Sequence, residues 1–224
     1  MKKIILFIFL LVSNILLAQI SKSLGDFSKV TAFDKISVKL VSSNENRIEI
    51  KGDLASEVQI ITKNKELKIR MPLEHLMKGD DVKVILYFKK LETIEANEGS
   101  SISCDSNLKA LDFNLIAKEG ADIKVAIDAQ RITLKSSNGA VITLSGKTQN
   151  LEAMVSSGGI LEAQKLETNQ TVISVNAGGN ADVFATDLVD AKVRAGGNIT
   201  IFGNPKQVNQ KTVIAGNIKI IKNN

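Results

Sequence analysis

Residues 131–146 read RITLKSSNGAVITLSG, and this stretch shows how the chain is built. Its first half alternates Ile132 and Leu134 with polar residues, and its second half repeats the alternation after a break. Alternation with a period of two is typical of strands that have one buried face. The break contains Asn138 and Gly139, the residue types that best tolerate the positive φ of a tight turn. The stretch therefore predicts a strand, a turn and a second strand.

The same unit returns through the second half of the chain. Twelve of the fifteen glycines lie at or after Gly99. The turn glycines of successive units are Gly99, Gly120, Gly139, Gly158, Gly178 or Gly179, Gly196 or Gly197, and Gly216. The apolar pairs that follow them begin at Ile102, Ile123, Ile142, Leu161, Val183 (paired with Ala185), Ile199 and Ile218. The gaps of 21, 19, 19, 22, 16 and 19 residues have a mean of about 19, which indicates an internal repeat.

Two topologies fit strand-turn-strand units: antiparallel hairpins in a sandwich or barrel, and a solenoid in which equivalent strands stack in parallel. A steady period and similar residues at equivalent positions favour the solenoid, because stacking continues each side-chain row through the core. An aromatic content of 4% without tryptophan suits a narrow core filled by aliphatic side chains. We therefore predict an all-β fold, a parallel β-helix with coils of about 20 residues.

The segment before the regular repeat alternates equally well but with less even spacing. Its predicted strands are Lys35–Leu40, Arg47–Lys51, Glu57–Thr62, Glu66–Met71 and Val82–Phe88. The segment Pro72–Gly79 predicts a loop or a single helical turn. Because the end of a solenoid needs a modified unit to cover its core, we interpret residues 19–90 as first coils plus a cap. Residues 19–90 and the regular coils of residues 91–224 together form a single predicted domain, residues 19–224.

The first eighteen residues have the layout of a secretory signal peptide. Lys2 and Lys3 precede an apolar run that begins at Ile4, and a small residue, Ala18, stands before Gln19. This order is typical of a cleaved signal, so we predict cleavage after Ala18 and export to the periplasm or cell surface.

The alternative is an uncleaved membrane anchor, which fits less well because the apolar run is short for a bilayer and Ser13 and Asn14 interrupt it. No cysteine lies at the cut, and no second long apolar run follows, so we expect neither a lipid anchor nor a transmembrane helix in the mature chain. Removal of the two lysines lowers the formal net charge from +5 to +3, which does not indicate a nucleic-acid partner.

The cysteine and histidine content offers little for chemistry. Cys104 is the only cysteine, so no disulfide framework exists, and its alternation with Ile102 predicts a small buried residue. His75 is the only histidine, so paired-histidine metal spacings are absent and a catalytic triad would have to use it. We therefore predict no catalytic, cofactor-binding or metal-binding residues.

The carboxylates and glycine pairs are interpreted as parts of turns. Asp80 and Asp81 follow Gly79, and Asp122 and Asp182 precede apolar positions, so we expect these acids to be solvated. They match no calcium-binding loop pattern. The Gly-Gly-Asn triplets at 178–180 and 196–198 lack the following helix of a phosphate-binding loop. We interpret them as structural bends.

Several units together resemble a known family. These are EGADIKV (119–125), NGAVITL (138–144), AGGNITI (195–201) and AGNIKI (215–220), with FDKISV (33–38) near the start. They resemble the auto-transporter adhesin head GIN domain family of exported bacterial proteins, over roughly residues 28–221. The resemblance implies a right-handed parallel β-helix in the cell envelope of Bacteroidetes-like bacteria, and it implies no catalytic residues.

Three functions are consistent with these features. The first is a non-enzymatic adhesin or binding module in the envelope, whose partner would be a glycan, a protein or, through end-to-end pairing of sheets, a second copy. The second is a β-helix polysaccharide lyase or hydrolase, which would need carboxylates that converge in one groove. The third is an envelope assembly factor. The sequence favours the first because its distinctive residues are turns and core positions.

Overall fold

The computed structural model describes residues 20–221, and the predicted signal peptide over residues 1–18 lies outside that range. Within it the chain forms seventeen strands and two single-turn 3-10 helices, Ala55–Glu57 and Leu73–His75. The strands are β1 (Ile20–Ser23), β2 (Lys29–Ala32), β3 (Ser37–Ser42), β4 (Arg47–Lys51), β5 (Gln59–Lys63), β6 (Glu66–Arg70), β7 (Lys83–Phe88), β8 (Thr93–Ala96), β9 (Ser101–Lys118), β10 (Asp122–Ser137), β11 (Val141–Ser156), β12 (Ile160–Asn176), β13 (Asn180–Phe184), β14 (Leu188–Arg194), β15 (Asn198–Phe202), β16 (Gln207–Val213) and β17 (Asn217–Ile220). They form a β-solenoid of about seven turns with coils of about 19 residues, so the predicted fold class is confirmed. No helix within residues 20–221 has the length and apolar character needed to cross a membrane.

Parallel pairing between successive coils distinguishes the solenoid from the hairpin alternative. Each coil contributes one strand segment, here called a rung, to each of two sheets. Face A contains β7, β3, the first parts of β9 to β12, β13, β15 and β17. Face B contains β6, β2, β8, the second parts of β9 to β12, β14 and β16. Inward side chains of both faces pack into one buried core.

The register corrects one part of the predicted repeat. Leu161 pairs with Ala181, and Ala163 pairs with Val183. The apolar pair of that coil is therefore Ala181 and Val183, and the assignment of Val183 and Ala185 is wrong by one step of the alternation. The small side chain of Ala181 carries little apolar signal in the sequence, but stacking between Leu161 and Ile199 buries it all the same. With Ala181 in this place, the coils before and after it are closer to equal length than the sequence indicates.

The predicted turn at Asn138 and Gly139 is confirmed in detail. Their φ values are 55° and 74°, and the N–H of Ala140 donates to the carbonyl of Ser137 at 3.2 Å. Two successive positive φ values closed by this bond are the features of a type I′ turn. The N–H of Gly139 donates to the carbonyl of Ser157 in the next coil at 3.1 Å. The hydrogen-bond ladder between coils therefore continues through the turns.

A turn of the same kind occurs earlier than predicted, at Asp34 and Lys35. Their φ values are 58° and 63°, and the N–H of Lys35 donates to the carbonyl of Glu98 in the stacked coil at 2.9 Å. The strand predicted to begin at Lys35 therefore begins at Ser37. Aspartate tolerates the left-handed region better than most residues. Because no glycine marks this turn, the glycine pattern does not reveal it.

The coils at the N-terminal end do not stack in chain order. The coil formed by β2 and β3 lies between the coil of β6 and β7 and the coil of β8 and β9. Antiparallel strands then cover the outermost rungs: β5 pairs with β6, β4 pairs with β7, and β1 pairs with β4. Covering strands of this kind protect a sheet edge from pairing with another chain.

A buried carboxylate fixes the loop at this end. Asp34 is almost fully buried, and its two carboxylate oxygens accept the N–H groups of Met71 at 2.9 Å and Met77 at 3.1 Å. Its carbonyl oxygen accepts the N–H of Gly79 at 3.0 Å. The segment between β6 and β7, which contains the helical turn Leu73–His75, is therefore anchored at both of its ends.

Candidate binding groove

A groove of about 610 Å³ lies on the outer surface of face B. It crosses the rungs of β8 to β12, with Lys29 of β2 at one end. Strand alternation explains how it is built: Leu115, Leu134 and Ala153 point inward and form the floor with their backbones, while the residues between them point outward. Clefts of this size are within the range of small-ligand sites.

The register arranges the outward residues in two columns. One column contains, in order along the solenoid, Thr93, Asn114, Thr133, Glu152 and Val172. The second column contains Ile116, Lys135, Met154 and Ser174. Neighbouring rungs lie about 4.8 Å apart, so the four steps from β8 to β12 make the groove about 19 Å long. Thr93, Asn114 and Thr133 are short side chains that leave space in the first column, and Ile116, Lys135 and Met154 form a taller wall in the second.

The groove exposes apolar surface. The exposed fractions of Met154 and Val172 are 46% and 50%, and Ile116 is partly exposed beside them. Large apolar side chains that share one exposed face mark binding surfaces more often than isolated ones do. Alternation alone does not identify these residues, because it separates inward from outward positions without showing which outward positions stack on each other. Their signal was present as apolar residues at outward positions of successive coils.

Charged side chains close the end of the groove at Lys29. The Lys29 Nζ lies 2.7 Å from Glu95 and 3.0 Å from Glu66, and the Lys118 Nζ lies 3.1 Å from Glu95. Burial opposes the ionisation of Glu95, but hydrogen bonds from Lys29, Lys118 and Asn97 outweigh it and lower its pKa. Burial also opposes the charge on Lys29, yet its two carboxylate partners raise its pKa.

Lys135, unlike Lys29 and Lys118, has no carboxylate partner within residues 20–221. It lines the middle of the groove, and it is exposed. Glu152, the acidic residue that also lines this part of the groove, belongs to the next rung and the other column. The groove therefore combines an apolar strip with one unpaired positive charge.

The carboxylates named from the sequence do not converge. Asp122 and Asp182 both point outward on face A and lie three rungs apart, about 14 Å along the axis at the usual rung spacing of about 4.8 Å. The paired carboxylates of glycosidases are separated by about 5–9.5 Å. Partial burial raises the pKa of Asp122, Lys124 opposes this shift, and the charge of Glu162 adds to it. The register neighbour of Asp182 is Glu162, whose carboxylate accepts a hydrogen bond from Thr143.

The remaining residues considered in the sequence are Cys104, His75, Asp80 and Asp81, and the structure shows the surroundings of each. Cys104 is buried, with 8% of its surface exposed, as predicted, and its Sγ lies 3.3 Å from the Ser106 Oγ. The Nδ1 of His75 is buried without a hydrogen-bond partner. Asp80 pairs with Lys35 at 3.3 Å on the surface, and Asp81 is exposed. Within the described part of the chain, no group of three or more His, Cys, Asp or Glu residues could hold a metal ion.

The Gly-Gly-Asn triplets form bends where coils stack closely. A Cβ on Gly197 would lie 2.5 Å from the carbonyl oxygen of Gly179. The asparagines after the glycines stack on each other, and the Nδ2 of Asn198 donates to the Oδ1 of Asn180 at 2.8 Å. Their hydrogen bonds and close packing therefore join one coil to the next.

Comparison with known proteins agrees with the fold. A crystal structure described as a "putative adhesin" from Bacteroides fragilis superposes with a TM-score of 0.82 at 20% identity, and the alignment covers 91% of this chain and 96% of that one. A "putative adhesin" from Parabacteroides distasonis gives a TM-score of 0.75 at 21% identity, with the same two coverages. A second protein from Parabacteroides distasonis, described as a "putative lipid binding protein", gives 0.68 at 14% identity and covers 91% and 96% of the two chains. At these identities the likeness concerns the fold.

None of the curated proteins compared with the chain matches it. A family model does match, over residues 26–205, which is most of the chain and includes both the N-terminal coils and the groove. Four of the five segments that suggested the resemblance, from FDKISV (33–38) to AGGNITI (195–201), lie within this match, and AGNIKI (215–220) lies after it. The chain therefore belongs to the family described as "Putative auto-transporter adhesin, head GIN domain".

Proposed function

We propose that this protein is an exported, non-enzymatic binding module of the cell envelope that uses the groove on face B as its binding surface. The groove itself carries the proposal: it is the place where apolar side chains, small polar side chains and an unpaired lysine share one concave surface. The family name and the names of two similar structures support an adhesin-like role. Export is supported by the signal-like first eighteen residues.

A rigid scaffold suits this role. Coil-to-coil hydrogen bonds hold the outward columns at a fixed spacing, so ligand binding would order few groups that are mobile in the free protein. The name of the third similar structure adds lipids to the glycans and proteins that the envelope offers as ligands.

Retention by native envelope material tests the proposal. Residues 19–224 are immobilised, and envelope extracts are passed over the native protein and over two variants. Thr133→Arg places a long charged side chain in the groove, whereas Thr200→Arg places the same side chain on the outer surface of face A. We expect the native protein and Thr200→Arg to retain the same ligand and Thr133→Arg to lose it.

Two results would contradict the proposal. If the native protein retains nothing from envelope glycans, lipids or proteins, the binding role is wrong. If Thr133→Arg and Thr200→Arg retain the ligand equally well, the binding role stands but the groove is not its site. Thermal unfolding of both variants checks that the introduced arginine leaves the fold intact.

A further inference from the structure

We infer that the groove on face B holds one acyl chain of an anionic amphiphile, whose head group binds the ammonium of Lys135. This inference rests on the function proposed above, because it names the ligand class of the same groove.

The apolar strip provides the first argument. Ile116, Lys135 and Met154 are consecutive members of one column, so the aliphatic stem of Lys135 lies between two apolar side chains. Lysine stems commonly cover apolar surface while the charged end stays in water. Val172 extends the strip into the next rung and the other column. The result is a continuous apolar path that water covers in the free protein, and burial of such surface favours an apolar ligand by about 25 cal/mol per Å².

The dimensions provide the second argument. The groove is about 19 Å long by the rung spacing of about 4.8 Å. An acyl chain in a membrane spans half of a hydrocarbon core of about 30 Å, or about 15 Å. Lys135 lies two rungs from the β12 end of the groove, so a chain whose head group binds it has about 10 Å of groove over Met154 and Val172. The groove therefore holds about two thirds of such a chain, and the rest extends past the last rung.

The charges select the head group. Lys29 is held by Glu66 and Glu95, and Lys118 by Glu95, so these cations are already neutralised. Lys135 has no such partner within residues 20–221, and it stands beside the apolar strip rather than apart from it. A carboxylate or phosphate at the end of an acyl chain would form an ion pair with the ammonium group of Lys135. Glu152 lines the same groove and would repel an anion placed on its side, which favours the position at Lys135.

Two other ligand chemistries fit less well. A peptide cannot add a strand at this place, because β10 and β11 pair with neighbours on both sides and have no free edge. The lining residues described for the groove contain no aromatic ring, so a sugar would lack the stacking platform that aromatic residues give. The exposed apolar side chains of Met154 and Val172 would stay uncompensated against a fully polar ligand.

The inference is tested by adding palmitate or hexadecanol to residues 19–224 and measuring how well each displaces a bound fluorescent fatty acid. The two probes share an apolar chain and differ in the charge of the head. We expect palmitate to bind, and Lys135→Gln to weaken palmitate binding roughly two- to five-fold, the range of an exposed ion pair, without changing hexadecanol binding. The double variant Met154→Gln with Val172→Thr, which removes apolar surface at similar side-chain size, should weaken both probes about ten-fold or more.

Matched changes on face A are the controls. Ile160→Thr and Lys124→Gln alter outward apolar and basic side chains there, and we expect both to bind palmitate like the native protein. Flotation with vesicles distinguishes the sources of the ligand: binding to phosphatidylglycerol vesicles but not to phosphatidylcholine vesicles indicates a lipid within a membrane, and palmitate binding without vesicle binding indicates a free amphiphile. Each of these outcomes supports the inference.

The inference is overturned if neither palmitate nor anionic vesicles bind, or if the groove variants bind like the native protein. Its failure is distinguishable from failure of the proposed function. Loss of envelope binding in Thr133→Arg without any amphiphile binding would mean that the groove is a site for another ligand class.

Discussion

Two glycines of the same coil show that this fold uses glycine for different reasons. Gly139 has φ = 74°, and a Cβ added there would meet no atom within 4 Å. Gly146 has φ = 107°, and a Cβ there would lie 2.3 Å from the carbonyl oxygen of Ile127 in the preceding coil. The first glycine is needed for backbone conformation alone, and the second also for the close approach of two coils.

This difference predicts unequal costs for the same substitution. Gly139→Ala should lower the free energy of unfolding by about 1 kcal/mol, the usual cost of a non-glycine residue in the left-handed region. Gly146→Ala should cost about 3 kcal/mol or more, because the backbone of the neighbouring coil must also move. Urea denaturation of the two variants measures both values. Equal costs, or a neutral Gly146→Ala, would show that the coils do not approach each other as described.

Between strands, a ladder of charges links rungs that are distant in the chain. Lys68 contacts Glu66 at 3.6 Å, and Lys29 joins Glu66 to Glu95, which in turn contacts Lys118. These residues belong to β6, β2, β8 and β9, which are adjacent on face B but not consecutive along the chain. The ladder therefore favours the stacking order in which the coil of β2 and β3 is inserted.

The ladder makes the free energy of unfolding depend on pH. Burial opposes the ionisation of both Glu66 and Glu95. Hydrogen bonds from Thr31 and Lys29 nevertheless lower the pKa of Glu66 from the ordinary 4.5, and hydrogen bonds from Lys29, Lys118 and Asn97 lower the pKa of Glu95. Because the unfolded chain binds these protons more readily, their contribution is complete above pH 4.5 and is lost as the pH falls through the folded-state values. The free energy of unfolding of the native protein should decrease below pH 4.5, and Glu95→Gln should show a smaller decrease.

Measurement by urea denaturation from pH 7 to pH 3 tests this expectation. Glu167→Gln, which removes an exposed ion pair with Lys147 at 3.0 Å, serves as the control and should follow the native curve. A Glu95→Gln curve parallel to the native one would contradict the role of the ladder.

At the scale of the whole molecule, the two ends of the solenoid differ. Antiparallel strands cover the parallel rungs at the N-terminal end. At the other end, the last described rung of face B places Gln210 and Thr212 at the inward positions where the previous rung has the buried Ala191 and Val193. Both Gln210 and Thr212 are exposed. Polar residues at the inward positions of a terminal repeat keep the end of a core soluble.

These polar residues predict the association state. Gln210→Val together with Thr212→Val should make residues 19–224 associate end to end, because the change adds apolar surface to a strand edge that pairs with no further rung within residues 20–221. Sedimentation velocity over a range of protein concentrations measures the effect. Asn209→Val, an outward change on the same strand, is the control and should leave the association state unchanged. A double variant that sediments like the native protein would show that the polar positions do not limit association.

The sequence by itself determined the all-β class, the short internal repeat, the glycine turns and the burial of Cys104. These features follow from local rules, since alternation decides which side chains turn inward and positive φ decides where glycine or asparagine is needed. Only the tertiary structure decided the inserted position of β2 and β3, the turn at Asp34, and the register that replaces Val183 by Ala181. It alone also formed the groove, because Ile116, Lys135, Met154 and Val172 meet only when separate coils stack in register. Their contact depends on pairing between distant segments, and no local pattern encodes that pairing.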